Sequence, residues 1–135
     1  MAKKAPNSIE KLPPPNLVLP RAAVYQKIQE QIDKGLQLRH IKLASSEALD
    51  GAYLERSKWS KYNVELLLRL FDNSSMADEY NKSSGGFYVS SRTPTFPELV
   101  QKFRENMNDS INDLEAIRDR LDLIPETTPA TVQNS

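Results

Sequence analysis

Few residues in this chain combine types and spacings that could do chemistry. There is one histidine, His40, and no cysteine. A lone histidine makes no metal site without carboxylates at close spacing, and it assembles no Ser/His/Asp arrangement on its own. The missing cysteines remove thiolate nucleophiles, disulfides and thiolate zinc sites. Acidic residues gather twice, as Asp72, Asp78 and Glu79, and as Asp109, Asp113, Asp119 and Asp122. Paired carboxylates can act as acid and base or hold a divalent ion. Most of these fall off the apolar positions of their segments, which reads as a solvated face. Ser83-Ser84-Gly85-Gly86 could cradle a phosphate, but it lacks the Gly-Lys-Ser/Thr ending and the strand before and helix after that such loops need. Neither catalytic residues nor a cofactor or metal site is expected.

Aromatic residues are the stronger signal. Trp59 and Tyr62 stand at helical spacing with leucines following, so they read first as core and second as a partner surface. Phe87 and Tyr88 stand beside Gly85-Gly86 with no obvious core to join. They are either folded back or offered to a partner. Trp59, Tyr62, Phe87 and Tyr88 form the candidate partner surface.

These residues must be positioned by helices. Phe96, Val100, Phe103, Met107, Leu114, Ile117, Leu121 and Ile124 follow steps of four and three, with Ser110 the one polar member. That rhythm buries one stripe of a long helix. Thr95 and Glu98 form a capping box at its start, and Pro125 ends it. Continuous from Thr95 to Ile124, it would be roughly 43 Å long. Val24, Ile28, Ile32 and Leu36 repeat every four residues after Pro20, a helix-initiating proline, and predict a helix ending between Lys34 and Arg39 with Gly35 as its C-cap. Ser45 or Ser46 opens a further helix running to about Phe71, with Glu47 in its first turn and Leu49, Tyr53, Trp59, Leu66, Leu67, Leu70 and Phe71 buried. Arg56 and Asn63 fall near that face and need polar partners. Met76 to Tyr80 is at most a short helix, and residues 81–94 form a long polar loop.

Composition bounds the rest. In 135 residues, hydrophobic content is 39% and charged content 27%, which suits one domain with a modest core. Net charge is zero. Residues 1–61 carry eleven Lys/Arg and six Asp/Glu, hence +5, and residues 62–135 carry seven and twelve, hence −5. A strong positive field is absent, so nucleic acid is disfavoured as a partner. The basic front half is expected to fold against the acidic rear half. No apolar run approaches membrane-spanning length, and no apolar segment marks a secretory leader, so a cytoplasmic setting is expected. Residues 1–19, with Pro13-Pro14-Pro15, predict a disordered proline-rich tether, residues 20–125 a helical domain, and residues 126–135 a disordered tail.

Several packing residues carry a resemblance. Val24-x3-Ile28-x3-Ile32-x-x-Gly35, Trp59-Ser60-x-Tyr62-Asn63-x2-Leu66-Leu67-x2-Leu70-Phe71, Ala77-x2-Tyr80 and Leu114-x2-Ile117-x2-Arg120-Leu121-x-Leu123-Ile124 resemble a helical region of bacterial TIR-like predicted nucleotide-binding proteins. The resemblance spans about residues 20–126. It implies an accessory helical module in phage defence, without the TIR-like domain, whose alternating strands and helices are not in this chain.

The expectation is an all-α fold, a three-helix bundle built on a long antiparallel hairpin of the second and last helices. The function that fits is a non-catalytic protein–protein interaction or oligomerisation module, its partner a second copy or an effector domain. The alternative is a small nucleotide-sensing domain or enzyme using the 81–94 loop with Tyr80 and Arg92.

Overall fold

A computed structural model describes residues 13–83 and 92–127. Among them the fold is all-α, with four α-helices: α1 (Arg21–Arg39), α2 (Ser46–Leu70), α3 (Ser75–Ser83) and α4 (Phe96–Asp119). A short 3-10 turn follows at Leu121–Leu123. Among the described residues, no helix is long and apolar enough to cross a membrane.

Local chemistry sets the helix ends. Ser45 Oγ accepts the Ala48 amide at 3.0 Å and starts α2, satisfying an amide with no intrahelical partner. Thr95 Oγ1 accepts the Glu98 amide at 3.3 Å, while Glu98 accepts the Thr95 amide at 2.8 Å, completing the expected capping box of α4. α1 opens after Pro20, whose side chain cannot cap. The cap comes instead from the far end of the chain: Glu126 Oε2 accepts the Arg21 amide at 2.8 Å. A carboxylate there also suits the positive end of the helix dipole.

α4 stops five residues short of the expected end. Arg120 leaves helical geometry, and the chain tightens into the 3-10 turn before Pro125. The carbonyls freed at that end are used. Arg21 Nε donates to Leu121 O at 2.8 Å, and its Nη2 donates to Ile124 O.

The pairing of helices differs from the expected hairpin. The most extensive helix–helix contact is α1 with α4. Arg21, at the start of α1, meets the end of α4, while Arg104 donates to the carbonyls of Arg39 and Ile41 at the other end. These helices are therefore antiparallel. α2 also runs antiparallel to α1: Val18 bonds Leu70 O at one end, and the Trp59 indole bonds Gln31 O midway. It follows that α2 and α4 run in the same direction, and Tyr53 meets Phe103 edge-on near both starts, with centroids 5.1 Å apart. The reason is α3. It is a fourth packed helix rather than a loop feature, and it turns the chain back along α2, so α4 can start at the end where α2 starts. Short connections favour antiparallel neighbours, but this connection carries a helix of its own.

The core draws on all four helices. Val24, Ile28 and Ile32 of α1, Leu67 and Leu70 of α2, Tyr80 of α3, and Phe103, Met107, Leu114 and Ile117 of α4 are buried. The seam of α4 is thus covered within the molecule. Phe96 and Val100 are only partly buried. Ile111, outside the four–three ladder, is buried beside Ser110, because neighbours on several sides widen the buried stripe.

Gly35 is not a C-cap. It lies inside α1, which continues to Arg39, where His40 caps the helix. A Cβ at this position would sit 2.5 Å from Trp59 Cζ2 and 2.9 Å from Ile111 Cγ1. Only a residue without a side chain lets α2 and α4 press this closely on α1.

The proline-rich segment is shorter as a tether than expected. Leu17 is fully buried. It pairs with Phe71 in antiparallel and with Glu126 in parallel fashion. Leu17 N–H donates to Pro125 O at 2.7 Å, and Thr127 N–H donates to Leu17 O at 2.8 Å. Asn16 donates twice to Asp72, from its amide at 2.7 Å and its side chain at 3.0 Å. Those bonds hold the Asp72 carboxyl below its ordinary range, the Asn16 side chain first and its backbone second. Residues 13–19, Glu126 and Thr127 therefore belong to the folded unit. The remaining tether and tail positions lie outside the described residues.

Charge segregation is not the main glue. Arg21–Glu126 is an ion pair joining the two halves, whereas Lys58–Glu55, Arg69–Glu65 and Arg120–Glu79 each fall within one half. These pairs lie near the surface, where each contributes about 0–1 kcal/mol.

Candidate interaction groove

Along α1, positions 31, 34 and 38 share one face by helical spacing, with Ile41 just beyond the helix end, and along α2 positions 55, 58, 59 and 62 do the same. Where these faces meet, they leave an open groove of about 520 Å³ lined by Gln31, Lys34, Gln37, Leu38, Ile41, Glu55, Lys58, Trp59 and Tyr62. Two of the aromatic residues read from sequence are thereby brought together, in different roles. Trp59 is 6% exposed and forms the floor. Its indole N–H donates to Gln31 O at 2.9 Å, so its polar edge is satisfied inside the fold. Tyr62 is 54% exposed at the rim, with Lys34 Nζ 5.9 Å from its ring centroid, within cation–π range. Phe87 and Tyr88 lie outside the described residues.

The α1 side of the groove has no counterpart in the sequence reading. Gln31, Lys34 and Leu38 keep helical spacing, but they mix polar and apolar types, so no apolar stripe marks them. Ile41 is connector in the sequence reading and in the fold, and the connector carries it to the groove.

The other candidates resolve into structural roles. Tyr80 is fully buried, and its hydroxyl accepts from Asn63 Nδ2 at 3.0 Å. Asn63 thus receives its partner from α3, while its Oδ1 and Arg56 Nε are buried with no hydrogen-bond partner among the described residues. Arg92 donates to both carboxylate oxygens of Glu98, at 3.1 and 2.6 Å. That guanidinium, and then the Thr95 amide, hold the Glu98 carboxyl below its usual range. Both residues named for the loop-based nucleotide reading are therefore engaged inside the fold or at its helix cap. Residues 84–91 of that loop, including Gly85-Gly86, lie outside the described residues.

Asp72, Asp78 and Glu79 bond to Asn16, Ser74 and Arg120 respectively. Among the described residues, no group of three His, Asp or Glu side chains is placed to hold a metal ion. His40 is exposed, with Nε2 3.2 Å from Arg39 Nη2.

Compared with known proteins, the chain matches no family model, no curated protein and no solved structure.

Proposed function

We propose that this chain is a non-catalytic helical protein-interaction module, and that its contact face is the α1–α2 groove. The observation that carries this reading is the exposed Tyr62 over a Trp59 floor, flanked by Leu38 and Ile41 and rimmed by lysines. Aromatic anchors with a polar rim are the usual anatomy of a binding surface. The α4 seam no longer supports association, because α1, α2 and α3 cover it.

The wider setting belongs to the same proposal. A cytoplasmic module that positions an effector domain, such as a TIR-like one in phage defence, is supported by the packing residues quoted above for that resemblance. An effector domain encoded in the adjoining reading frame is the expected finding.

Light scattering at high concentration and affinity capture test the reading, with wild type and Tyr62→Lys side by side. The expected result is self-association or a captured protein that the variant loses. A strictly monomeric wild type that captures nothing, or capture untouched by Tyr62→Lys, overturns it.

A further inference from the structure

We infer that the slot holding Leu17 is an exchange site, filled in a dimer by residues 13–18 of a second copy of this chain. The inference is independent of the α1–α2 groove, which lies along the other half of α1. Leu17 is fully buried, and the strap around it is bonded to distant segments. Pro13 O accepts from the Asn73 side chain, and Asn16 O accepts the Asp72 amide. Val18 N–H donates to Leu70 O, while Leu17 donates to Pro125 O and accepts from Thr127 N–H. All of these partners lie at or beyond the end of α2, and none belongs to α1. The strap is therefore a plug, seated by its own backbone and one apolar side chain. An identical strap makes the same bonds whichever copy it comes from. Any other peptide would have to bring both the leucine and an asparagine for Asp72, which selects a second copy as the occupant.

The hinge favours the exchange. Only Leu19 and Pro20 separate Val18, the last strap residue bonded in this way, from α1 at Arg21. Pro20 is extended, with φ −54° and ψ 144°, and a residue before proline is held extended as well. The return from slot to helix rests on bends at Val18 and Leu19. A short hinge of this kind invites exchange, because the open form needs no turn. Val18 and Leu19 are exposed, as is Leu123 in the turn whose carbonyls Arg21 takes. Exchange brings two copies together at this end, where those apolar side chains gain cover. The slot bonds are the same in both forms, so protein concentration sets the balance.

The test refolds the whole protein from denaturant at high and at low concentration and reads its mass by light scattering. The chain has no cysteine of its own. Asn16→Cys and Asp72→Cys, as two separate variants, are therefore refolded together. The two side chains are in direct contact, 3.0 Å apart, so a disulfide between position 16 of one chain and position 72 of the other reports exchange. The expected result is a dimer at high concentration that carries this mixed disulfide. The wild-type dimer should persist on dilution, since separation requires Leu17 to leave its slot. A Gly-Ser-Gly insertion between Leu19 and Pro20 relaxes the hinge and should lower the dimer yield about tenfold at an unchanged far-UV spectrum. A monomer at both concentrations, a dimer without the mixed disulfide, or a dimer indifferent to the insertion would each overturn the inference. Tyr62→Lys should leave the exchanged dimer intact, and its loss in that variant would also overturn the exchange. If the exchanged dimer forms while capture fails, the groove reading falls and the exchange stands.

Discussion

Two regions hold α1 in place by different physics. At its middle, Gly35, Trp59 and Ile111 meet by shape, with side chains of α2 and α4 pressed onto bare backbone. At its start, Leu17 is held by backbone bonds to segments that follow α2 and α4. The first contact depends on the absence of one methyl group. The second depends on chain segments far apart in sequence arriving together. Shape contacts between helices leave a periodic trace in a sequence, whereas backbone pairing between single residues leaves almost none.

Breaking the start of α1 should have the largest effect. Leu17→Ala should cost about 2–5 kcal/mol, the range for truncating a buried leucine, read as a lower denaturation midpoint. A true tether would show no change. At the middle, Gly35→Ala sets a helix-propensity gain of about 1 kcal/mol against overpacking of about 1–3 kcal/mol. The indole is anchored to Gln31 O and cannot swing aside cheaply, so a net loss of about 1–2 kcal/mol is expected. With Trp59→Phe already present, the smaller ring should lessen the cost of Gly35→Ala, leaving the Ile111 contact, which a double-mutant cycle measures.

A cap outside both regions supplies a reference. Thr95→Ala should cost about 1 kcal/mol in the same denaturation series, less than Leu17→Ala. The smallest effect concerns pH. Asp72 has its folded value depressed by Asn16, so its contribution is present above the ordinary aspartate range and is lost as pH falls through the depressed value. Asp72→Asn should flatten that acid limb of the stability curve, by removing at neutral pH the small contribution that the wild type loses only in acid. An unaltered acid limb would show that the Asn16–Asp72 bonds contribute nothing to the start of α1.

Much of the helical content was legible. The Thr95–Glu98 box, the Ser45 cap, the repeats of α1 and the ladder of α4 fall where the structure has them, because each is a local pattern. Gly35 misled, since a glycine near a helix end looks the same whether it caps or makes room. The α1–α2 groove was half legible. Trp59 and Tyr62 stand out as aromatics, but Gln31, Lys34 and Ile41 acquire meaning only opposite α2.

The amino-acid order alone fixed where helices start, which faces they bury and that thiol chemistry is excluded, since these follow from local hydrogen bonding, periodicity and residue type. Tertiary structure decided that α4 lies chiefly on α1, that α2 and α4 run the same way, that Leu17 and Glu126 belong to the core and the cap, and that a groove between α1 and α2 stays open. Those outcomes depend on which distant surfaces meet, and helical periodicity specifies a face to be buried without naming what buries it.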